Sequence, residues 1–342
     1  MPEYRLFLII FLAACAAIFL SPLAVWIGRR LGLMDIPRSE QHKQHRRPVP
    51  LAGGIVLFAA FLILAGLSGA AEQPEFLAYL LPMSIIFALG LLDDFIGLKP
   101  YIKLVGQVLA AALIIQNGIT VQLVQNPAIN FAISLVWLVG ITNAFNFTDS
   151  MDGLAVGLAA LAAACLMLVT LQSEQFWLTS LTAILLGNCV GVFYFNAPPA
   201  RYFLGDSGAQ LLGFLLAAIA VEYAPVGYTM LTSWFVPILL FALPIFDSLL
   251  VVVSRLRRRL PVYRAGLDHT YHRLVRLGLS SNRAILTMHI AALLIDCVAF
   301  ILLNLSPLLA NGLLALLILL GLGAIAFLDR PHLLEDHPYP SI

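Results

Sequence analysis

Charged residues are scarce in this sequence. Only 11% of its 342 residues are charged, whereas 61% are hydrophobic, and the mean hydropathy is +0.96. A soluble globular domain carries about 25% charged residues, so this composition excludes one. The cysteines lie in apolar stretches without paired or metal-ligand spacing, and we expect them to be small core residues. They are Cys15, Cys165, Cys189 and Cys297.

The sequence consists largely of long apolar runs. They recur from end to end at the length of about twenty residues that a membrane-spanning helix needs. Linkers, low-complexity tracts and internal repeats are missing, which favours one integral membrane domain over residues 1–342. We therefore predict an all-α polytopic bundle of about eleven transmembrane helices, with ten as the lower count. The predicted spans are 6–27, 51–70, 76–92, 104–117, 129–145, 153–172, 176–195, 203–222, 231–254, 284–304 and 307–328.

The basic residues predict the orientation of this bundle. All of the 19 lysines and arginines except Arg5 fall on one predicted side of the membrane. The positive-inside rule makes that side cytoplasmic, so the N-terminus is expected outside and the C-terminus inside. The two long loops, 28–50 and 255–283, are both cytoplasmic under this scheme.

The most informative stretch is NAFNFTDSMDG, residues 143–153, which lies between two apolar runs. Its polar side chains recur at every third position: Asn143, Asn146, Asp149 and Asp152. A helix turning about 100° per residue spreads that series over roughly 180°, so the four converge only if the helix breaks or ends near Thr148. Converging oxygen donors suit a hard cation such as Mg²⁺. The alternative is a polar loop in which Asp149 and Ser150 cap the next helix.

Acids at other predicted helix ends add to this stretch, because a carboxylate beside hydrocarbon is costly and usually functional. Asp93 and Asp94 end the third span, where they would hold a metal, accept a proton or simply be solvated. Lys103 opens the fourth span and would neutralise an acidic cluster or a phosphate, or else snorkel to the interface. Glycines flank Asp206 at the start of the eighth span, which indicates close backbone approach or a kink around a carboxylate, or else a simple N-cap.

Further polar residues lie deeper or in the second long loop. Asp247 and Asp296 fall inside spans nine and ten, where we expect structural acids that hydrogen-bond within the bundle. The loop before span ten can donate to a pyrophosphate, and arginine does so with bidentate geometry. The alternative is a basic loop that faces lipid. Its candidate donors are His269, His272 and Arg273.

These pieces follow one another as LLDD, NAFNFTDSMDGLA, FLGDSG and a histidine-containing loop. In this order they resemble the polyprenyl-phosphate N-acetylhexosamine-1-phosphate transferase family, which includes phospho-N-acetylmuramoyl-pentapeptide transferase and the enzymes that start O-antigen, enterobacterial common antigen and teichoic acid linkage units. The resemblance runs from Asp35 to His272. The sequence departs from it at Tyr271, where the HxHH loop usually has histidine, and at Leu51, in a stretch where PRxGG is common. The departures bear on the sugar rather than on the reaction class.

The resemblance implies three groups of site residues. The expected catalytic residues are Asp93, Asp94 and Lys103. The expected metal ligands are Asp206, Asn146 and Asp149. The expected substrate-binding residues are Asp152, His269, His272 and Arg273.

The implied reaction moves N-acetylhexosamine-1-phosphate from a UDP-sugar to polyprenyl (undecaprenyl) phosphate and releases UMP. It would be the first membrane step of a cell-envelope polysaccharide pathway, such as cell wall or lipopolysaccharide synthesis, on the cytoplasmic face of the inner or plasma membrane. Because both reactants are anionic, Mg²⁺ is the implied cofactor, with Mn²⁺ as a substitute. The implied partners are UDP-N-acetylhexosamine, the polyprenyl phosphate lipid and the membrane, without nucleic acid, and a homodimer is left open.

Two other function classes share parts of this pattern. A secondary transporter also has intramembrane acids and broken helices, but it places them near the midplane of the membrane. An intramembrane aspartyl protease uses a GxGD motif, which Gly205-Asp206 matches only in its second half, because Phe203 occupies the first glycine position.

Overall fold

The computed structural model describes residues 3–36, 47–228, 230–262, 266–330 and 333. These residues form helices joined by short turns, a 3₁₀ turn at Ala70–Glu72 and two very short strands, β1 (Met34–Asp35) and β2 (Val49–Pro50). The helices are α1 (Glu3–Leu31), α2 (Gly53–Leu67), α3 (Phe76–Ile96), α4 (Pro100–Gln116), α5 (Pro127–Thr148), α6 (Leu154–Gln172), α7 (Phe176–Asn196), α8 (Gly205–Glu222), α9 (Met230–Ser233), α10 (Val236–Leu240), α11 (Ala242–Arg257), α12 (Thr270–Arg276), α13 (Ser281–Leu303) and α14 (Pro307–Leu328).

The helices agree with the predicted all-α polytopic class. Within the described ranges, seven of them are long and apolar enough to cross a membrane: α1, α3, α5, α6, α7, α13 and α14. The helices α2 and α4 are apolar but shorter, at Gly53–Leu67 and Pro100–Gln116. The number of eleven crossings therefore stays a prediction.

The predicted ninth span, 231–254, is not one helix. It is divided into α9, α10 and α11, with Phe241 between the last two. Pro237 lies in the first turn of α10 and Pro244 in the first turn of α11. Proline is tolerated in a first turn, where its missing N–H would have no partner, but it disrupts the helix interior. These two prolines were the sequence signal for the break. The predicted loop after this span also contains a helix, α12.

Helix α8 lies at the centre of the bundle. Its residues from Gly205 to Ala220 are buried on every side except at Asp206, and it packs against α2, α3, α5, α6 and α7. A helix that is apolar all round belongs in the middle of a bundle. Because Asp206 is in the first turn of α8, this carboxylate is placed where the ends of several helices meet.

The start of α2 is joined to the start of α8 by backbone hydrogen bonds. The N–H groups of Ala52 and Gly53 donate to the carbonyl of Phe203 at 3.2 and 3.0 Å, and that of Gly54 donates to Leu204 at 3.0 Å. β1 and β2 pair antiparallel just before this junction, and Leu51, where the family pattern differs, forms a parallel bridge with Phe203. The first long loop therefore returns to the end of the bundle that holds Asp206.

The basic residues are distributed unequally between the two ends of the bundle. Arg5 donates to the carbonyl of Ser68, which follows α2 at the end away from Asp206. The described basic residues of the two long loops lie at the Asp206 end. The structure thus supports the predicted grouping, and the side of the membrane on which that end lies stays a prediction. Arg38, Lys43, Arg46 and Arg264 lie outside the described residues.

Candidate active site

The carboxylate of Asp94 lies at the N-terminus of α8, although Asp94 belongs to the last turn of α3. Its Oδ1 accepts the backbone N–H of Asp206 at 2.7 Å. Its Oδ2 accepts the N–H of Ser207 at 3.1 Å and the hydroxyl of Ser207 at 2.6 Å. The first N–H groups of a helix lack partners within the helix and carry a partial positive charge, so Asp94 caps α8 from a neighbouring helix. The carboxylate of Asp206 is therefore not needed as the cap.

Lys103 joins the ends of three helices. Its Nζ lies 2.7 Å from Oδ2 of Asp93 and 3.1 Å from Oδ2 of Asp206. Asp93 also accepts the backbone N–H of Leu98 through Oδ1 at 2.5 Å. The ammonium thus neutralises an acidic cluster instead of snorkelling to the interface. The side chain of Asp206 is 28% exposed and that of Asp93 only 7%, so the cluster is open to solvent on the Asp206 side.

α5 ends at Thr148, where the spacing of the polar series required an end. Asp149 follows as the C-cap residue, and its N–H donates to the carbonyl of Phe145. The next helix, α6, has Gly153 as its N-cap and receives no hydrogen bond from a capping side chain. The alternative in which Asp149 and Ser150 cap α6 is therefore wrong.

The polar series itself does not converge on one point. Asn143 turns to α4, where its Nδ2 donates to Oε1 of Gln107 at 2.6 Å. Asp152 turns to the loop before α8, where its Oδ2 accepts the N–H of Ala200 at 2.9 Å. Asn146, in the last turn of α5, and Asp149 are both half-buried. Of the series, these two are left as candidate ligands beside Asp206.

The chemical types of these donors suit a magnesium ion whose coordination is completed by substrate. In the described ranges no three His, Cys, Asp or Glu side chains gather closely enough to hold a metal by themselves. Mg²⁺, however, is usually held by one or two carboxylates together with substrate phosphates and water. Asp206, Asp149 and the amide of Asn146 offer donors of this type, and a magnesium site formed by them stays a prediction. Loss of hydration, and then the charges of Asp94 and Asp152, raise the pKa of Asp149, and a nearby cation would relieve that excess of negative charge.

The second long loop contacts the end of α5 through His269. The imidazole ring of His269 meets the ring of Phe147 edge to face, with centroids 6.4 Å apart. Its Nδ1 lies 2.8 Å from Oδ2 of Asp247, on α11. Tyr271 is buried close by, and burial followed by the charge of Asp152 raises its pKa. The loop is thus in contact with the segment that carries Asn146 and Asp149.

Arginines at the start of this loop are engaged in internal ion pairs. Arg255 binds Asp268 through two contacts, at 2.9 and 2.6 Å, and Arg258 adds a third at 2.8 Å. Burial alone would raise the pKa of Asp268, but the hydrogen bonds and charges of Arg255, with those of His269 and Arg258, lower it to about 2. Arg255 is only 4% exposed, so this part of the loop is not the lipid-facing basic surface that was the alternative.

Two predicted substrate-binding residues, His272 and Arg273, are buried among other protein groups. His272 is buried, and burial, followed by the charges of His269 and Arg276, lowers its pKa to about 3. Its imidazole is therefore neutral at pH 7 and offers a phosphate no positive charge. Arg273 is fully buried, and its guanidinium donates to the carbonyl of Leu328 at 2.7 Å and to Asp329 at 3.3 Å. These contacts hold the loop against the end of α14, and a role in binding substrate stays a prediction for both residues.

Sequence reasoning missed two sets of residues around this site. Asn196 is buried and joins two loops, because its Oδ1 accepts the N–H of Gly153 at 3.0 Å while its Nδ2 donates to Tyr202 at 3.1 Å. Gln107 and Gln210, one helical turn below Lys103 and Asp206, hydrogen-bond to each other at 3.0 Å. Their spacing of four residues from the charged groups was the only signal that could have revealed them.

Comparison with known proteins places this arrangement in a family. The model of glycosyl transferase family 4 matches residues 76–224, from the start of α3 to just beyond α8. A probable undecaprenyl-phosphate N-acetylglucosaminyl 1-phosphate transferase of Bacillus subtilis is 26% identical over 294 residues, or 83% of this chain and 81% of the relative. A decaprenyl-phosphate N-acetylglucosaminephosphotransferase of Mycobacterium tuberculosis is 28% identical over 326 residues, or 84% of this chain and 80% of the relative.

A third relative is more similar over a shorter length. The phospho-N-acetylmuramoyl-pentapeptide-transferase of Halalkalibacterium halodurans is 30% identical over 247 residues, which are 65% of this chain and 76% of the relative. The matched segment contains Asp93, Asp94, Lys103, the end of α5 and Asp206. With its motifs in the expected order and the matched residues at one end of the bundle, this chain belongs to glycosyl transferase family 4.

Proposed function

We propose that this protein transfers N-acetylhexosamine-1-phosphate from a UDP-sugar to a polyprenyl phosphate and releases UMP. The product is a diphosphate-linked lipid, which suits the first membrane step of a cell-envelope polysaccharide. Three relatives with polyprenyl-phosphate or pentapeptide transferase names support the acceptor and the class of group transferred. The UDP-sugar, the release of UMP and the cytoplasmic position of the site are parts of the proposal.

The observation that carries this proposal is the contact of Lys103 with two carboxylates at a membrane boundary. An ammonium 2.7 Å from Asp93 and 3.1 Å from Asp206 is held between a buried acid and a more exposed one. A phosphate that enters from the exposed side meets Lys103 directly. Because phosphoryl transfer brings anion towards anion, such a fixed positive charge stabilises the approach and the transition state.

The two adjacent aspartates have different roles in this scheme. Asp94 already accepts three hydrogen bonds from α8, so its carboxylate holds the helix that carries Asp206. Among the described residues, Asp93 accepts from one backbone N–H, that of Leu98, besides Lys103. We assign to Asp93 the positioning of the acceptor lipid phosphate, or removal of its proton if it arrives protonated. Lys103 then keeps the lipid phosphate beside the sugar phosphate.

The remaining residues bind the donor. Asp206, Asn146 and Asp149 would hold Mg²⁺, which when bound supplies positive charge to the pyrophosphate of the UDP-sugar. His269 contacts the ring of Phe147, next to Asn146, and we assign it to the same substrate. Direct attack of the lipid phosphate on the sugar phosphate needs no covalent enzyme intermediate, and this is the mechanism that we propose.

The test is UMP release by the purified protein from a panel of UDP-N-acetylhexosamines. We expect release only when Mg²⁺ and undecaprenyl phosphate are both present, and we expect Asp206→Asn to abolish it. The matched control is Glu72→Gln, an exposed acid at the opposite end of the bundle, which should behave as wild type. UMP release without lipid phosphate, or none with any UDP-sugar, would refute the proposal.

A further inference from the structure

Asp247 is a buried acid that the proposed chemistry does not use. It lies on α11, is 1% exposed, and has a partner for each carboxylate oxygen. Oδ2 lies 2.8 Å from Nδ1 of His269, and Oδ1 accepts the backbone N–H of Thr270 at 2.6 Å. The sequence suggested only a structural acid within the bundle. The structure confirms that Asp247 is hydrogen-bonded inside the protein, and its partners lie at the point where the second long loop enters α12.

The contact with His269 determines which nitrogen of the ring carries hydrogen. An ionised carboxylate can only accept, so Nδ1 must donate to it, and Nε2 is the nitrogen that remains for other partners. A carboxylate behind a histidine fixes both the tautomer and the orientation of the ring. The ring of His269 is also held by its contacts with Phe147 and His272. The side chain is therefore preorganised before any substrate binds.

We propose that Asp247 is a positioning residue that presents Nε2 of His269 to a phosphate of the UDP-sugar. This inference rests on the proposed function. In this arrangement the ring donates from both nitrogens, Nδ1–H to Asp247 and Nε2–H to the phosphate, so both carry hydrogen in the complex. The additional proton comes from solvent, and Nε2–H then donates a charge-assisted hydrogen bond to the phosphate. Around His269 the other charged or titratable neighbours are Asp268 and His272, with Arg276 beyond them.

A double-mutant cycle tests this inference. Asp247→Asn keeps an acceptor for the N–H of Thr270 but removes the charge behind His269. It should raise the KM for UDP-sugar about tenfold, the difference between a charged and a neutral hydrogen bond, and leave the KM for lipid phosphate unchanged. His269→Ala should have at least as large an effect. In the His269→Ala background, Asp247→Asn should change neither KM further.

Asp296→Asn is the matched control, because Asp296 is another acid that is 1% exposed but lies on α13 without contact to His269. It should not alter the KM for UDP-sugar. If Asp247→Asn does not fold, Asp247→Glu, which keeps the charge but moves it, replaces it under the same criterion.

Each outcome of the double-mutant cycle either supports the role of Asp247 or overturns it. Additive effects of Asp247→Asn and His269→Ala, or an equal rise in KM for Asp296→Asn, overturn it and leave the transferase proposal intact. A wild-type enzyme that releases no UMP from any UDP-sugar overturns both. An absent second effect in the double mutant supports the coupling of Asp247 to substrate through His269.

Discussion

Asp94 and Asp93 are neighbours in sequence, yet they bind different parts of the protein. Asp94 accepts from the first turn of α8, while Asp93 faces Lys103. Their spacing explains the difference, since successive residues of a helix point about 100° apart. The sequence showed a pair of acids and predicted repulsion between them. It could not show that each acid would find a separate positive partner from another helix.

Replacing each aspartate by asparagine should therefore have a different effect on the protein. Asp93→Asn should lower kcat by about 10²-fold or more, the usual effect of removing a general base, with little change in thermal stability. Asp94→Asn should lower the stability of the purified protein by about 1–2 kcal/mol, because it weakens the cap of α8. Thermal unfolding in detergent and UMP release measure the two effects. Equal stability of both variants would contradict the assigned cap.

Because His272 is buried, we expect the free energy of unfolding to depend on pH. Its folded pKa of about 3 lies below the value of 6.5 for an exposed imidazole. Below pH 6.5 the unfolded chain takes up a proton that the folded protein does not, so stability is lost as the pH falls from 6.5 towards 3. At pH 5 the loss is roughly 2 kcal/mol.

His272→Gln removes this titration while keeping a polar side chain. Its unfolding temperature should change less than that of wild type between pH 7 and pH 5. Parallel pH profiles for the two proteins would show that His272 becomes protonated without cost to the fold.

Packing between helices depends on glycines around the start of α8. A Cβ at Gly90 would lie 2.5 Å from Cα of Ser207 and 2.7 Å from the carbonyl oxygen of Asp206, and one at Gly54 would lie 2.6 Å from the N–H nitrogen of Gly208. Small residues at such crossings let helix backbones approach closely in a membrane. This approach brings Asp94 within reach of α8, so the active site depends on residues that have no side chain.

Gly90→Ala should accordingly damage both stability and turnover. The added methyl group meets backbone atoms that cannot rotate away, and overpacking of this kind costs about 1–3 kcal/mol. The control is Gly140→Ala on α5, where a Cβ would meet nothing within 4 Å. That variant should equal or exceed wild type in stability, because alanine favours a helix over glycine. Fluorescence-detected thermal unfolding compares the two.

At the scale of elements, the sequence predicted best what periodicity and length decide. The apolar runs gave the helices, and the end of α5 at Thr148 followed from the spacing of its polar residues. The division of span nine was missed because Pro237 and Pro244 lie in an otherwise unbroken apolar run. The convergence of the polar series was overestimated, because Asn143 and Asp152 have partners from distant segments that no local pattern reveals.

The whole molecule has two ends of different character. The cluster of Lys103, the end of α5 and the second long loop lie at one end, whereas Arg5, Ser68 and Glu72 lie at the other. This separation argues against a transporter with its acids at the midplane. Because the candidate site lies at one end of the bundle, the orientation of any one helix across the membrane determines the side on which the site lies.

Thiol labelling in intact cells measures that orientation. In a background without the native cysteines, Asn282→Cys should be shielded from an impermeant reagent and Glu72→Cys should react, since both positions are exposed at opposite ends. Glu40, in the first long loop, should also be shielded when replaced by cysteine, although it lies outside the described residues. Labelling at position 282 from outside would reverse the predicted topology.

The backbone hydrogen bonds that join residues 52–54 to Phe203 and Leu204 can form only late in the synthesis of the chain. α2 is made long before its partner in α8. At about 5–20 residues per second, the ribosome needs on the order of ten seconds to add the intervening chain. Throughout that interval the N–H groups that start α2 lack their final acceptors, and Asp94 has no helix to cap. The candidate site is thus assembled late, and a nascent chain lacks it until α8 is inserted.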